Sequence, residues 1–251
     1  MSIAIISGAS GGIGQEFARA LCARHACDEL WLLGRSADRL AALIASLTGE
    51  VTCRPFSLDL TEKEALAPLQ EALSEAGDEV TYLVAAAGVG YMGDFSALSA
   101  EEHQRMLMLN CVALTALIDA TLPYMKPGAH ILTLASAAAF LPQPHFAVYA
   151  ATKAYVLSLS RALAHELKER GILVTAVCPG PVDTPFLDTA TCHTPMPDKK
   201  KRALITPAVV VRAALRGAAR GRTVVTPTLS MRMARLAAKL LPHRPLMRFF
   251  D

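Results

Sequence analysis

Residues 2–14 read Ser-Ile-Ala-Ile-Ile-Ser-Gly-Ala-Ser-Gly-Gly-Ile-Gly, an apolar run followed directly by a glycine-rich turn. The run predicts a buried strand, and the residues after the turn predict a helix. Glycines in such a turn let the backbone approach a pyrophosphate, and the following helix N-terminus offers unpaired N–H groups and a positive dipole. A plain strand-to-helix turn is the structural alternative. The context favours a dinucleotide site, with these candidate residues: Gly8, Ser10, Gly12, Ile13 and Gly14.

The rest of the chain alternates short β-branched apolar runs with longer helical patterns. The predicted strands are 3–7, 30–33, 51–56, 80–86, 130–135, 172–178 and 223–226. Helices are predicted at 13–24, 37–47, 62–75, 100–122, 148–169 and 207–219, with capping boxes that begin at Thr61 and Ser99. Such alternation is typical of a parallel sheet with helices on both faces. The sequence therefore predicts an α/β fold, a Rossmann-type doubly wound sheet of about seven parallel strands.

The composition fits one large domain, 1–251. The chain is 53% hydrophobic and 19% charged, which excludes disordered and collagen-like chains and disulfide miniproteins. Six cysteines without a C-x-x-C pair predict free thiols in a reducing cytoplasm, and no metal site is predicted. No basic region or cleavage site opens the chain, so no signal peptide is expected. The longest apolar runs are too short to predict a membrane-spanning helix.

Two arginines follow the second predicted strand, where dinucleotide folds bind the adenosine ribose. An acidic residue at this place binds the ribose 2′-hydroxyl, whereas an arginine suits a 2′-phosphate. Arg35 can bind a phosphate with two parallel hydrogen bonds, and Arg39 lies one helical turn further on. NADP is therefore predicted in preference to NAD, with an exposed arginine at a helix start as the alternative. Asp59 and Leu60 are predicted either to hold the adenine edge or to begin the next helix.

Three residues near the middle of the chain are candidate catalytic groups. Tyr149 and Lys153 are four residues apart, so they share a helix face. The ordinary pKa of tyrosine is about 10, and a nearby ammonium lowers the pKa of the phenol toward the range of a working acid or base. Ser136 follows the fifth predicted strand at its carboxyl end, and its hydroxyl can hydrogen-bond a substrate oxygen. Turn capping by Ser136 and an interfacial Tyr149 are the alternative roles.

These motifs resemble the short-chain dehydrogenase/reductase family over about residues 2–185. The shared features are the glycine turn, Asp59, Asn110, Ser136, Tyr149-Ala-Ala-Thr-Lys153 and Pro179-Gly180-Pro181-Val182-Asp183-Thr184. The resemblance implies that Tyr149 gives or takes the proton and that Ser136 holds the carbonyl or hydroxyl oxygen. Lys153 is implied to bind the nicotinamide ribose and to lower the pKa of Tyr149.

Further site residues follow from the same resemblance. Asn110 is implied to hold a water in a proton relay, with a solvated helix surface as its alternative. Val182 and Thr184 are implied to contact the nicotinamide carboxamide. The remaining residues expected beside the cofactor are Ala87, Gly88, Pro179 and Gly180.

One motif departs from the family pattern. Asn-Asn-Ala-Gly is usual after the fourth strand, whereas this chain has Ala85-Ala86-Ala87-Gly88. The loss of two asparagines puts the hydrogen bonding at the centre of the sheet in doubt, with a water as one replacement. It removes no catalytic group.

The net charge of +3 conceals a division along the chain. Residues 1–198 carry 12 Lys and Arg against 21 Asp and Glu, a net charge of −9, whereas residues 199–251 carry 13 against one acid, a net charge of +12. Apolar and basic residues alternate at helical spacing within the basic part, which predicts a basic amphipathic C-terminal extension at 229–251. Its apolar positions are Leu229, Met233, Leu236, Ala237, Leu240 and Leu241, and its basic positions are Arg232, Arg235 and Lys239.

Three roles are open for this extension. Its apolar face packs on its own domain or a partner subunit, or it lies on anionic lipid as a peripheral membrane contact. In the third role, its basic rim attracts an anionic substrate such as an acyl thioester or a steroid acid. Nucleic acid is not expected, because the chain has no recognised binding motif and no overall basic excess.

The combined prediction is an NADP-dependent oxidoreductase that interconverts a ketone and a secondary alcohol, in the cytoplasm or at a membrane. A non-catalytic NADP-sensing or scaffold protein is the alternative, and the complete Ser/Tyr/Lys set argues against it. A lipophilic substrate, steroid-like or 3-ketoacyl, is expected because segments 89–95, 137–146 and 184–201 are apolar. Residues 184–202 are predicted to form a substrate lid. The resemblance further implies a homodimer or homotetramer through the helices that carry Asn110 and Tyr149.

Overall fold

The computed structural model describes residues 1–48, 51–77, 79–196, 198–242 and 246–247. Within these residues one parallel sheet is formed in the order β3-β2-β1-β4-β5-β6-β7. The predicted doubly wound sheet of about seven parallel strands is therefore confirmed. The strands are β1 (Ser2–Ser7), β2 (Glu29–Gly34), β3 (Thr52–Ser57), β4 (Glu79–Ala85), β5 (Met125–Leu134), β6 (Leu173–Val177) and β7 (Val224–Val225).

Helices follow nearly every strand, as the sequence predicts. They are α1 (Gly12–Cys22), α2 (Ala37–Ser46), α3 (Ala67–Ala76), α4 (Ala100–Leu107), α5 (Leu114–Thr121), α6 (Ala147–Glu166), α7 (Phe186–Ala190), α8 (Asp198–Lys201), α9 (Pro207–Ala218) and α10 (Leu229–Leu240). A π-helical turn, Met108–Ala113, joins α4 to α5. Short 3₁₀ segments lie at Phe95–Ala97, Leu122–Tyr124 and Ala137–Phe140.

Successive side chains of a strand enter two different cores. Ile3 and Ile5 pack in the core beneath α3, α5 and α6, whereas Ala4 and Ile6 pack in the core beneath α1, α2 and α9. All four are fully buried. A strand covered on both faces has apolar residues at successive positions, which explains the continuous apolar run that opens the chain.

Helix α3 begins later than the sequence predicts. The backbone N–H and the hydroxyl of Thr61 both donate to Asp59 Oδ1, at 3.0 and 2.7 Å. Glu64 has a φ of +61°, outside the helical region. This local hydrogen bonding competes with a helix start, so α3 begins at Ala67 instead of residue 62. The other capping box, formed by Ser99 and Glu102, is present as predicted.

The predicted helix 100–122 is continuous but not regular. Helices α4 and α5, with the π turn and the 3₁₀ segment, form one rod from Ala100 to Tyr124 that is long and apolar enough to cross a membrane by length and composition. The sequence prediction counted only uninterrupted apolar runs, so it did not single out this segment, and length and composition alone do not make it a membrane span. The inward side of the rod packs in the sheet core through Leu114, Leu117 and Ile118.

Helix α10 lies outside both cores. Ala238 is its buried residue, whereas the exposed fractions of Leu229, Met233, Leu236 and Leu240 are 71%, 59%, 49% and 68%. The apolar face of the predicted extension therefore does not pack on its own domain within the described residues. Residues 243–245 and 248–251 of this extension, and Pro197 of the predicted lid, lie outside the described residues.

We expect Leu69→Ala to lower the free energy of unfolding by about 2–5 kcal/mol, because Leu69 is fully buried and its truncation leaves a cavity. Urea unfolding measures this loss. The matched control is Leu240→Ala, the same change at an exposed position of α10, with an expected effect below about 0.5 kcal/mol. Similar losses at both positions would contradict the placement of α10 outside the cores.

Candidate active site

The strand order reverses between β1 and β4, and open α/β sheets bind ligands in a crevice at the carboxyl ends of such strands. The glycine turn follows β1, and the segment with the alanines in place of asparagines follows β4. The Ser7 hydroxyl joins the two, because it accepts a hydrogen bond from the Ala87 N–H at 3.2 Å. Ser7 is fully buried, and the sequence did not single it out. The Ser7 hydroxyl thus supplies a hydrogen bond at the end of β4, where Ala85 and Ala86 replace the two asparagines of the family pattern.

The glycine turn closes tightly on itself at the edge of this crevice. Gly8 has a φ of +67°, and a Cβ atom on Gly14 would lie 2.3 Å from the carbonyl oxygen of Gly8. The helix α1 can therefore begin directly above the strand end, with its N-terminus at the crevice. A Cβ atom on Gly11 would meet no atom within 4 Å, so space is open at the N-terminus of α1. Such space suits the pyrophosphate that the sequence predicts.

The segment 179–184 crosses the crevice from the candidate catalytic residues to the glycine turn. Pro179 O accepts a hydrogen bond from the Ala137 N–H at 2.8 Å. Val182 forms a parallel bridge with Ile205. The Thr184 side chain lies against Gly12, with its Cγ2 atom 3.2 Å from where a Cβ of that glycine would be. The structure therefore brings the predicted residues of this segment beside the predicted dinucleotide site.

At the predicted adenosine end, Asp59 lies between two arginines. Arg105 Nη2 is 3.4 Å and Arg35 Nη1 is 4.0 Å from Asp59 Oδ2. Burial raises the pKa of Asp59, but the hydrogen bonds from Thr61 and the charges of Arg105 and Arg35 outweigh burial and lower it. The carboxylate is thus held ionised between the two guanidinium groups, and the cluster keeps a net positive charge. Sequence reasoning missed Arg105, which is 46 residues from Asp59.

Other residues predicted near this end take different places. The Arg39 side chain is exposed on α2, and its backbone N–H donates to the Ser36 hydroxyl. Leu60 packs against the core beneath α3. Ser10 Oγ lies 3.0 Å from where a Cβ atom of Gly34 would be, so Ser10 contacts the end of β2.

The three candidate catalytic residues converge at the carboxyl end of β5. Tyr149 and Lys153 are 8% and 4% exposed, and the Lys153 Nζ atom lies 5.6 Å from the Tyr149 ring centroid. The Ser136 side chain lies near enough to the Tyr149 hydroxyl to lower its pKa. Ser136 Oγ also accepts the Ala138 N–H at 3.1 Å, so the alternative role as a turn cap is present beside the contact with Tyr149.

Burial determines the direction of both pKa shifts at this site. It raises the pKa of Tyr149 to about 12, with a smaller opposing effect from the nearby Ser136 side chain. It lowers the pKa of Lys153 to about 8. The predicted lowering of the tyrosine pKa is therefore wrong in direction for this structure. Exclusion of water from the phenolate dominates this shift. The Nζ–H of Lys153 donates to the Leu134 carbonyl at 2.7 Å.

The Lys153 ammonium has more N–H donors than the described residues have acceptors for it. An ammonium carries three N–H groups, and within the described residues one acceptor, the Leu134 carbonyl oxygen, hydrogen-bonds Nζ. Gly88 borders the same nitrogen, because a Cβ atom there would lie 3.3 Å from Nζ. A buried donor needs a partner, and ribose hydroxyls are suitable acceptors. The residues present therefore fit a nicotinamide ribose at this place.

Asn110 lies inside the π turn and is fully buried, so the alternative of a solvated helix surface is excluded. Its Oδ1 accepts the Val89 N–H at 2.9 Å, and its Nδ2 donates to Val89 O at 2.8 Å and to Thr152 Oγ1 at 3.0 Å. Thr152 in turn donates to the Tyr149 carbonyl at 2.7 Å. Asn110 thereby ties the segment after β4 to the helix that carries Tyr149 and Lys153.

Aromatic rings enclose the Tyr149 side chain. Phe146 stacks on it with ring centroids 4.1 Å apart, and Phe186 of the predicted lid is 5.7 Å away. Gly90 faces the same ring, because a Cβ atom there would lie 2.7 Å from Tyr149 Cδ2. Phe186 therefore brings the predicted lid into contact with the tyrosine, and this segment contains two short helices, α7 and α8.

The predicted lid is hydrogen-bonded to the segment after β4 and to α4. Met92 N–H donates to Ala190 O at 2.8 Å, and His193 Nε2 lies 2.6 Å from Glu102 Oε1 of α4. This pair lowers the pKa of Glu102. Cys192 lies close by, so three potential ligand atoms cluster where the sequence showed none. The group is half-buried to exposed, and the observed contact is the hydrogen bond that joins the lid to α4.

The sequence profile of the short chain dehydrogenase family matches residues 2–193. The chain belongs to this family. A curated relative, an uncharacterized oxidoreductase of Staphylococcus epidermidis, is 31% identical over 188 residues, which cover 74% of this chain and 80% of the relative. The protein is therefore an oxidoreductase with a site for a nicotinamide cofactor and small-molecule substrates.

Solved structures share the whole fold. A short-chain dehydrogenase from Sphingobium yanoikuyae in complex with NADPH is 31% identical, with a TM-score of 0.81 and coverage of 99% of this chain and 96% of that one. A bulky-bulky ketone specific alcohol dehydrogenase from Comamonas testosteroni is 28% identical, with a TM-score of 0.76 and coverage of 97% and 96%. Two further structures of this fold hold NAD and NADH, so the fold alone does not select the cofactor.

We expect Gly14→Ala to lower the melting temperature, because its Cβ atom would clash with the carbonyl oxygen of Gly8 and displace α1 from the strand end. Thermal unfolding without added cofactor measures this effect. The matched control is Gly11→Ala, since Gly11 has an extended backbone and open space at its Cβ position. An unchanged melting temperature for Gly14→Ala would show that the turn is looser than the structure describes.

Proposed function

We propose that the protein is an NADP-dependent oxidoreductase that interconverts a ketone and a secondary alcohol. The observation that carries this proposal is the buried Tyr149, near Ser136 and on the same helix face as a buried Lys153. These groups stand at the carboxyl end of the sheet, beside the crevice where α/β folds bind ligands. When bound, the nicotinamide ring supplies or accepts the hydride.

In reduction, Tyr149 is the general acid that donates its phenolic proton to the carbonyl oxygen. A pKa near 12 keeps this phenol protonated at neutral pH, which suits the reductive direction. Ser136 donates a hydrogen bond to the same oxygen, where negative charge develops. Lys153 binds the nicotinamide ribose through its spare N–H groups. In oxidation, the tyrosine acts as the base, and its raised pKa makes that direction more favourable at high pH.

Asn110 completes this proposed machinery. It holds the segment after β4 and the Tyr149 helix together, and the family resemblance gives it a water in the path of the proton. Val182 and Thr184 face the nicotinamide carboxamide in this proposal. Ala87, Gly88, Pro179 and Gly180 line the rest of the cofactor site.

The charge at the adenosine end supports NADP. The Arg35 side chain is two-thirds exposed, and its contact with the Asp59 carboxylate is long, at 4.0 Å. It can therefore turn toward a 2′-phosphate. Arg105 holds the same carboxylate at shorter distance and releases Arg35 for that contact. Arg39 adds positive charge one turn along α2. The Sphingobium relative was solved with NADPH, which also favours this cofactor.

The apolar lining supports a lipophilic ketone. Phe146 and Phe186 flank Tyr149, and Met92 lies nearby on the segment that the lid contacts. A bulky, steroid-like or 3-ketoacyl substrate suits such a surface. The solved alcohol dehydrogenase specific for bulky-bulky ketones favours the same class. A screen of NADPH oxidation with steroid ketones, 3-ketoacyl thioesters, bulky ketones and small ketones decides among these substrates.

An exposed apolar patch supports a homodimer or homotetramer. Leu107, Met108 and Val112 are 47%, 40% and 52% exposed on the helix rod, and Tyr155 of α6 is 41% exposed beside them. Tyr155 and Thr115 share a hydrogen bond of 2.8 Å, so the two helices form one surface. Light scattering after size-exclusion chromatography measures the mass. The six free cysteines favour a reducing compartment such as the cytoplasm.

We expect Arg35→Ser to raise KM for NADPH by about tenfold or more while KM for NADH changes little, because a charge-assisted contact to the 2′-phosphate is lost. Steady-state kinetics with both cofactors measure this difference. Arg24→Ser, which removes an exposed arginine remote from the crevice, serves as the matched control. Equal effects on both cofactors, or a preference of the wild-type enzyme for NADH, would refute the NADP assignment.

We expect Tyr149→Phe to lower kcat by about 10²–10⁴-fold, because the general acid is removed. Fluorescence titration is expected to show that the variant still binds NADPH. Tyr124→Phe, at the opposite end of the sheet, makes the same chemical change as a control. Full turnover by Tyr149→Phe would overturn the mechanism. Tight NADPH binding by the wild-type chain without turnover of any ketone would favour an NADP-sensing protein.

A further inference from the structure

Helix α10 presents its most apolar stripe directly away from the protein. Leu229, Met233, Leu236 and Leu240 recur at positions i, i+4, i+7 and i+11, so they form one face, and each is about half to two-thirds exposed. The opposite face carries the buried Ala238 and also Met231, whose Sδ atom lies 3.0 Å from where a Cβ atom of Gly180 would be. A contiguous exposed apolar face of this kind marks an interaction surface.

Basic side chains flank this stripe on one side. Arg232, Arg235 and Lys239 lie about a quarter turn around α10, between its apolar stripe and its buried face. Arg232 and Arg235 also line a cavity of about 380 Å³ with three further arginines from the end of α9 and the turn before β7, namely Arg216, Arg220 and Arg222. No acidic residue lines this cavity among the described residues, and none of its arginines has an ion pair there.

We propose that this face binds the surface of an anionic lipid bilayer, with α10 lying parallel to the membrane. The four large apolar side chains then enter the boundary between headgroups and acyl chains. Side chains a quarter turn away lie at the level of the headgroups, where Arg232, Arg235 and Lys239 meet phosphates. The arginine-lined cavity offers further positive charge at the same edge of the protein and takes a lipid phosphate.

Charge complementarity favours lipid over a second copy of the chain. A two-fold contact through this face would bring the two arginine clusters against each other. The segment 199–250 contains no Asp or Glu, so the face offers these cations no compensating acid from its own sequence neighbourhood. An anionic bilayer satisfies the cations and the apolar stripe together, because both kinds of group meet it in one plane.

The position of α10 connects this surface with the candidate active site. The helix packs against the 3₁₀ segment Ala137–Phe140, directly after Ser136. A lipophilic substrate dissolved in the bilayer would therefore be delivered beside the crevice. This last point rests on the proposed function, whereas membrane binding itself does not.

Flotation of the full chain with NADPH tests the proposal. Vesicles of phosphatidylcholine alone are compared with vesicles that contain about 30% phosphatidylglycerol. We expect binding to the anionic vesicles, weak binding to the neutral ones, and a loss of binding when NaCl is raised from about 0.1 to about 0.5 M. Turnover is not measured, so failure of the proposed chemistry cannot be mistaken for failure of membrane binding.

Two variants separate the two parts of the surface. Leu236→Gln/Leu240→Gln removes apolar area and Arg232→Gln/Arg235→Gln removes charge, and each is expected to weaken anionic-vesicle binding by about tenfold or more. The matched controls are Val209→Gln, at an exposed apolar position of α9, and Lys63→Gln/Lys168→Gln, at exposed basic positions elsewhere. Both controls are expected to bind as the wild type does.

Each alternative partner for the apolar face of α10 predicts a different result, and each such result contradicts lipid binding. If the stripe variant changes the mass in light scattering and leaves vesicle binding intact, the face is a subunit contact. If that variant lowers the melting temperature without affecting vesicle binding, the last residues of the chain cover the stripe. If the wild type binds no anionic vesicle, an acidic protein becomes the partner that fits the charges. Each of these outcomes overturns the proposal.

Discussion

The buried ammonium of Lys153 is the constraint on which the site depends. A charged group inside a protein needs hydrogen-bond partners, and here the Leu134 carbonyl supplies one at 2.7 Å. That bond fixes α6 against the end of β5, and so it sets where Tyr149 stands relative to Ser136. The remaining N–H groups of the ammonium give the crevice its capacity to hold a ribose. Burial also brings the pKa of Lys153 down to about 8, close to physiological pH.

The surrounding elements hold this arrangement from several directions. The side-chain amide of Asn110, in the π turn, accepts the Val89 N–H and donates to the Val89 carbonyl oxygen and the Thr152 hydroxyl. A π turn is an irregularity that is frequent at functional sites, and here it directs a buried amide toward the catalytic helix. Ser7 joins the ends of β1 and β4. The aromatic rings of Phe146 and Phe186 keep water from the tyrosine, which explains why its pKa rises.

Local patterns in the sequence were enough to predict the sheet and most helices, and the residues that they assign to the site stay a prediction. They failed where two local signals compete, and where a contact joins residues far apart in the chain. The capping box at Thr61 did not start α3, because Asp59 takes the hydrogen bonds of that threonine. Arg105 and the pair of His193 with Glu102 could not be predicted, since each contact joins residues far apart in the chain. The pKa of Tyr149 rises because the side chain is buried. The four-residue spacing of Tyr149 and Lys153 carries no information about burial.

The order of apolar runs, glycines and the Tyr-Lys spacing determined the class of protein, because those features act over one strand, one turn or one helix. The division of charge was equally visible, with +12 in residues 199–251. The direction of the α10 stripe was decided by tertiary structure alone. An amphipathic pattern specifies two faces but does not say which one meets the domain, and here packing of Met231 and Ala238 turned the leucines outward.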